Sequence, residues 1–350
     1  MSGTGSSLAA RTTKQAITAS VAATDLRPFQ DLTPDRIMDA VESTGLRCDG
    51  RLAALNSFEN RVYQVGIEAA APVIAKFYRP GRWSERAIGE EHAFCIELAG
   101  AEIPVVAPLD LGAGRTLASA HGFRFALYPK CPGRAPELDD DATLEWLGRF
   151  VARIHVFGQR TAFVHRPHIG IESYGDSPLA LLLKADLLPD KLCQAYSAAA
   201  SHALQRVRAR YADAGKIAQI RLHADCHAGN ILWTQDGPHF VDFDDCRMGP
   251  AIQDLWMLLS GDRASMTRQL AAVIEGYRMF RDFNAAELWL IEPLRTLRMI
   301  HHSAWLTERW QDPAFPVAFP WFGTERYWQD QILALKEQIA ALDEPPLPLD

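Results

Sequence analysis

Leu222-His223-Ala224-Asp225-Cys226-His227-Ala228-Gly229-Asn230-Ile231-Leu232-Trp233, followed by Phe240-Val241-Asp242-Phe243-Asp244-Asp245, is the stretch from which the fold of this 350-residue chain is read. An Asp, an Asn five residues later and a second Asp lie beside short apolar runs, and Asp236-Gly237 between the runs signals a hairpin. Asp and Asn are common in turns, where their side chains bond local backbone, so any one of the three taken alone reads as a turn residue. Three in ordered spacing, inside His-x-Asp-x-x-x-x-Asn and apolar-Asp patterns, match the needs of phosphoryl transfer instead. That chemistry requires a carboxylate to accept the hydrogen bond of the nucleophile and hard oxygen ligands to hold magnesium against a triphosphate. Asp225 is the candidate catalytic base, and Asn230 and Asp242 are the candidate Mg2+ ligands, with Asp244 the second choice.

Working outward, residues 61–65 and 72–78 read as adjacent antiparallel strands, residues 105–108 and 123–128 as further strands, and residues 85–99 as a helix. Ahead of them Thr33-Pro34-Asp35 opens a short helix that Gly45 ends. Pro129-Lys130-Cys131-Pro132-Gly133 breaks regular structure and is a candidate hinge. Beyond it Leu144, Leu147, Phe150, Val151 and Ile154 form the stripe of a long core helix, and residues 256–339 supply several more amphipathic helices. A run of strands followed by a run of helices predicts the α+β class. The expected organisation is a mobile Ser/Thr/Ala-rich tail over residues 1–25, a first lobe over 26–128, a hinge over 129–133 and a helical lobe over 134–350.

These motifs resemble the aminoglycoside phosphotransferase and choline kinase superfamily, whose His-Gly-Asp-x-x-x-x-Asn signature differs here by Ala224 in place of Gly. Leu55-Asn56-Ser57-Phe58-Glu59-Asn60-Arg61-Val62-Tyr63, Ala75-Lys76-Phe77-Tyr78-Arg79-Pro80 and Gln253-Asp254-Leu255-Trp256-Met257-Leu258-Leu259 extend the likeness to a bacterial stress-response Ser/Thr protein kinase of that fold. The resemblance covers about residues 32–347 and implies a bilobal protein-kinase-like fold with ATP bound in the cleft. It further implies that Lys76 contacts the nucleotide phosphates and pairs with a helix glutamate, Glu91 by preference and Glu90 otherwise. It places Ser57 at the ATP site, in a covering turn that has none of the glycines of a Gly-x-Gly-x-x-Gly loop. The substrate class it implies, a protein bearing a Ser or Thr hydroxyl, rests on resemblance alone. A small-molecule kinase for an aminoglycoside, choline or homoserine-like alcohol shares the motif, and a pseudokinase is the reading from another class, against which Lys76, Asp225, Asn230 and Asp242 are all present.

Other features narrow the field. The net charge of -7 arises from interspersed acids and bases, without a Lys/Arg-rich run, so nucleic acid is not an expected partner. Six cysteines without CxxC spacing fit separate reduced thiols and a cytoplasmic setting; no cleaved secretory signal is expected, and no 18-residue apolar run occurs. A monomer without membrane association is expected. His223 and His227 lack the helix and third ligand of a zinc site, so His223 is expected to brace the loop. Asp254 is expected to order that loop from a helix start. Arg295, Arg298, Trp305, Arg309, Trp310, Trp321 and Trp328 read as packing and solvated charge at helical spacing.

Overall fold

A computed structural model describes residues 27–349, and the expected tail over residues 1–25 lies outside the described residues. Helix α1 (Pro34–Glu42) begins where Thr33 accepts a hydrogen bond from the Arg36 amide, with Pro34 supplying a preset φ at the first position. Its buried face of Ile37, Ala40 and Val41 packs on an antiparallel sheet of β1 (Cys48–Ala54), β2 (Arg61–Ile67), β3 (Val73–Phe77), β4 (Ala118–Ala120) and β5 (Phe123–Pro129). The strand order is β1-β2-β3-β5-β4. Register sets Val62, Lys76 and Ala126 side by side across the three central strands. Helix α2 (Glu85–Gly100) follows β3, capped by Ser84.

The helical remainder comprises α3 (Asp141–Gly158), a π-helical turn at Glu172–Asp176 running into α4 (Ser177–Leu182), and α5 (Asp190–Ala214). After short strands β6 (Ile220–Leu222), β7 (Ile231–Thr234), β8 (Gly237–Phe240) and β9 (Arg247–Gly249) come α6 (Ile252–Trp256), α7 (Arg263–Arg278), α8 (Ile291–Arg309), α9 (Ala314–Ala318) and α10 (Glu325–Asp343). The class is therefore α+β, as the succession of strands and helices predicts. Among the described residues no helix is long and apolar enough to cross a membrane.

Three expectations change. Residues 105–108 do not form a strand: Val105 makes a lone parallel bridge to Phe240, because Pro104 and Pro108 remove donors on either side. The Val106 amide still donates to Phe240 O at 3.0 Å, and the Phe240 amide to Pro104 O at 2.8 Å, tying the sheet-bearing part to the β7–β8 hairpin. The hairpin turn is Gln235-Asp236 rather than Asp236-Gly237, since Gly237, at φ +112°, already pairs with Thr234. β1 and β4 were not expected, because Asp49-Gly50-Arg51 interrupts the apolar residues of the first and the second is only three residues long.

Helices α3 and α7 cross where Gly148 and Gly276 let the backbones touch: a Cβ on Gly148 would overlap Val273 O, and one on Gly276 would overlap Glu145 O. Gly276→Ala should therefore destabilise the protein by about 1–3 kcal/mol through overpacking, despite the better helix propensity of Ala, and the denaturation midpoint measures it. An unchanged midpoint would show that the helices separate without cost.

Candidate active site

Strand β6 delivers the chain into residues 223–230, where Ala224 adopts φ +70°, a left-handed conformation that costs an L-residue about 1–2 kcal/mol. The position at which the sequence departs from the glycine of the related motif is thus the one where glycine would be unstrained. Asp254 at the start of α6 holds the bend: its carboxylate accepts from the His223 amide at 2.9 Å and the Ala224 amide at 2.7 Å. Gln253 donates to Ala224 O at 3.0 Å. The buried His155 reaches the same carboxylate through Nε2 at 3.1 Å and meets the Tyr277 hydroxyl through Nδ1 at 2.9 Å. Because a carboxylate only accepts, Nε2 carries the proton and Nδ1 takes the Tyr277 hydrogen.

The bend turns Asp225 into a polar nest. Its Oδ2 accepts from Asn230 Nδ2 at 3.2 Å and lies 3.4 Å from His227 Nε2. Its Oδ1 is buried and accepts no hydrogen bond among the described residues, although an Arg298 guanidinium nitrogen sits 2.8 Å away. Charge without alignment links those two atoms. Burial works against ionisation of Asp225, but His227 and Arg298 overcome it and hold its pKa below the ordinary carboxylate value.

Asp242 follows β8 at φ +59°, a second non-glycine residue in left-handed backbone. Beneath it Phe243 is buried against the His223 ring, with centroids 4.3 Å apart, and His223 Nε2 donates to Val241 O at 2.9 Å. His223 thus braces both ends of the arrangement. The Val241 amide donates to Asn230 O at 3.0 Å, so the segments carrying Asn230 and Asp242 are bonded directly. The Asp242 side chain remains 55% exposed, whereas that of Asp244 is 4% exposed.

Lys76 enters from β3. Its ammonium lies 3.3 Å from Glu91, 3.1 Å from Asp242 and 3.2 Å from Asp244. Glu90 instead accepts from the Val164 and His165 amides at 2.7 and 2.9 Å, which separates the roles of the two glutamates. Burial would suppress the Lys76 charge, but Asp244, Glu91 and Asp242 more than offset it and hold its pKa well above the usual value. Burial likewise opposes the Asp244 carboxylate, which Arg82 and Lys76 hold down at about 2. Arg166 completes the cluster, with Glu91 at 2.8 Å, Ala87 O at 2.8 Å and Asp244 O at 2.7 Å. Arg82 binds Asp244 and, at 2.7 Å, Asp245.

Ser57 closes the covering turn: its hydroxyl accepts from the Val62 amide at 3.2 Å and donates to Leu55 O at 3.3 Å. The next acid anchors that turn across the molecule. Glu59 accepts from Trp305 Nε1 and Arg309 Nε, each at 2.5 Å, and lies 2.9 Å from Arg79. Asp312 pairs with Arg79 at 2.6 Å and Arg61 at 3.4 Å. Trp305 packs as expected, on Phe315 and Phe319, but the expectation of solvated charge is corrected for Arg298 and Arg309, which pair with Asp225 and Glu59: helical spacing identified their shared face but could not say what lay opposite. Arg82 and Arg166 were missed because lone arginines in loops carry no motif.

With this geometry in place, the comparisons with known proteins are decisive. The sequence model of the phosphotransferase enzyme family (APH) matches residues 51–289. Stress response kinase A of Escherichia coli O157:H7 is 47% identical over 321 residues, covering 92% of this chain and 97% of the relative. The chain belongs to the phosphotransferase enzyme family. A relative from Salmonella typhimurium strain LT2, named serine/threonine protein kinase RdoA, is 46% identical over the same shares of both chains. Among solved structures, amicoumacin kinase hAmiN in complex with AMP-PNP, Ca2+ and Ami aligns with this phosphotransferase at a TM-score of 0.68 and 20% identity, covering 90% of this chain and 96% of the other. A microcompartment-associated aminopropanol kinase aligns at 0.65 and 18% identity, covering 87% and 95%. At such identities these two establish the shared fold alone.

In this phosphotransferase, Asp254→Ala would leave the buried amides of residues 223 and 224 without acceptors beside a strained Ala224. The expected cost is about 2–4 kcal/mol in denaturant unfolding. Asp254→Asn, which keeps one acceptor oxygen, should cost less, and equal stability of Asp254→Ala and wild type would refute the bracing role.

Proposed function

We propose that this phosphotransferase is an ATP- and Mg2+-dependent serine/threonine protein kinase, with Asp225 as base and ATP held in a cleft between lobes joined through residues 129–133. The observation that carries the mechanism is the pairing of Lys76 with Asp242 at 3.1 Å beside the bonded Asn230 and Asp225. The protein-acceptor class is carried by the names of relatives at 46–47% identity.

Lys76 supplies a fixed positive charge to the nucleotide phosphates, and Glu91 and Arg166 keep its stem from swinging away. Ser57, through its hold on the covering turn, sets the backbone amides that face the phosphates in place of glycines. Asn230 commits its Nδ2 to Asp225, which leaves its amide oxygen outward, and the Asp242 carboxylate is half-exposed. Two such hard oxygens fit Mg2+, which neutralises charge developing on the phosphates when bound. Among the described residues no three His, Cys, Asp or Glu side chains converge as a cage, in keeping with a cation that draws further ligands from substrate and water.

Asp225 Oδ2 is occupied by Asn230 and His227, so Oδ1 is the oxygen that accepts the hydrogen bond of the acceptor hydroxyl. As the hydroxyl oxygen bonds to the γ-phosphorus and the bond to the departing ADP oxygen breaks, the proton passes to that carboxylate. A pKa held below the ordinary carboxylate value keeps Asp225 ionised at neutral pH, so the acid limb of kcat/KM due to this group lies on the acid side of the usual carboxylate range.

Purified protein incubated with labelled ATP, Mg2+ and, in turn, myelin basic protein, an acidic serine-rich protein such as dephosphorylated casein, aminoglycosides and choline tests the acceptor class; labelling of a small molecule but of neither protein would reject it. Asp225→Asn should preserve the fold and reduce transfer by roughly a hundredfold or more. Activity within a few-fold of wild type would remove Asp225 from the role of base. Asp242→Ala and Asn230→Ala should each raise the Mg2+ concentration needed for half-maximal activity, and an unchanged titration would redirect attention to Asp244.

A further inference from the structure

Helix α8 turns Arg298, His302, Trp305 and Arg309 to one side, at spacings of i, i+4, i+7 and i+11. Contacts fix both ends of this stripe. Arg298 meets Asp225 at 2.8 Å, while Trp305 and Arg309 bind Glu59 of the covering turn. Between them His302 stacks on Trp305, with ring centroids 5.7 Å apart. Seven residues of helix separate Arg298 from Trp305, a span of about 10 Å, comparable to three residues of extended chain. The stripe thus sets a cation against Asp225 and an aromatic face further along the same side of the helix.

Arg298 is held against Asp225 by charge, without an aligned hydrogen bond. Its side chain is 40% exposed, and Asp225 Oδ1, which it covers, still accepts no hydrogen bond. The remaining charges nearby are already engaged: Asp245 with Arg82 and Arg247, and His227 with the other oxygen of Asp225. The guanidinium reaches solvent and is not aligned with the buried oxygen it faces, so an anion that offers it two aligned oxygens can compete for it. A cationic group can only be repelled by it.

We propose that Arg298 reads the acceptor: it caps Asp225 Oδ1 until a carboxylate or phosphate carried beside the acceptor hydroxyl draws the guanidinium off and admits that hydroxyl to the freed oxygen. This rests on the reading of Asp225 as base. The selected substrate is a Ser or Thr hydroxyl in anionic surroundings, and polycationic alcohols are disfavoured. Arg298 orients a guanidinium that fork-bonds two oxygens, which a lysine in its place would not do.

The test uses four serine peptides of equal length, flanked by Glu, Gln, Lys or phosphoserine, and compares kcat/KM for the full-length wild type, Arg298→Ala and Arg298→Glu. Wild type should prefer the Glu-flanked over the Lys-flanked peptide by tenfold or more. Arg298→Ala should compress that ratio to within threefold, and Arg298→Glu should invert it. A larger gain with phosphoserine than with Glu identifies phosphate as the group read, and the reverse identifies carboxylate. Ratios alike in wild type and both variants, or no transfer by wild type to any of the four peptides, overturn the proposal. The thermal shift induced by ATP confirms that each variant is folded. Asp225→Asn in the same assay separates the two levels: retained transfer defeats the base assignment itself, whereas lost transfer in Asp225→Asn together with wild-type flank ratios in the Arg298 variants defeats the role of Arg298 alone.

Discussion

Lys76 carries a charge that burial opposes and that carboxylates from separate segments restore. Glu91 comes from α2, and Asp242 and Asp244 come from the turn after β8, so the lysine joins the sheet, its helix and the hairpin region in one contact. Arg82 and Arg166 then balance the surplus of acids. A buried network of this kind is not favourable merely because it is ionic, since each group gives up its hydration. Removing the buried lysine that the acids share leaves uncompensated buried charge, a loss of about 3–5 kcal/mol. The network therefore specifies one relative placement of the segments more strongly than it stabilises the molecule.

The exposure of the two aspartates gives that network a direction. Asp244 is sunk between Lys76 and Arg82, while Asp242, two residues earlier, keeps over half its side-chain surface open. Left-handed backbone at Asp242 accounts for the difference, because it reverses the chain so that the two carboxylates approach the same ammonium from different depths. Strain at this residue and at Ala224 is sustained by bonds from outside the loops: Asp254 and Gln253 for one, His223 beneath Val241 and Phe243 for the other.

Much of this was legible in the sequence because it is local. The spacing of Asp225, Asn230 and Asp242 lies within one hairpin's length, and the strands carrying Lys76 announce themselves by apolar runs. Legibility failed where a contact depends on which helix face meets which loop. Arg298 and Arg309 sit more than seventy residues from Asp225 and about two hundred and fifty from Glu59, respectively, and no periodicity records such distances. It failed also where prolines interrupt a run of valines, at residues 104–108, since apolar content there serves a single bridge and not a ladder. β1 and β4 escaped because an interrupted or three-residue apolar pattern is too weak to announce a strand, although both pair in the sheet.

The covering turn shows how one sequence departure propagates. Without glycines it lacks intrinsic backbone freedom, and Ser57 closes it only locally. Glu59 supplies the missing constraint by binding α8 through Trp305 and Arg309, while Phe58 packs on Phe319 with centroids 4.9 Å apart. The turn is thereby held by the same helix whose Arg298 touches Asp225. Side-chain anchoring from the helical lobe replaces intrinsic loop flexibility, and its consequence is coupling: a displacement of α8 that frees Asp225 must be accommodated by Glu59 about 16 Å along the helix, or taken up within the Arg298 side chain itself. Since Glu59 is also bound by Arg79 of the sheet-bearing part, motion of the side chain is the less disruptive of the two.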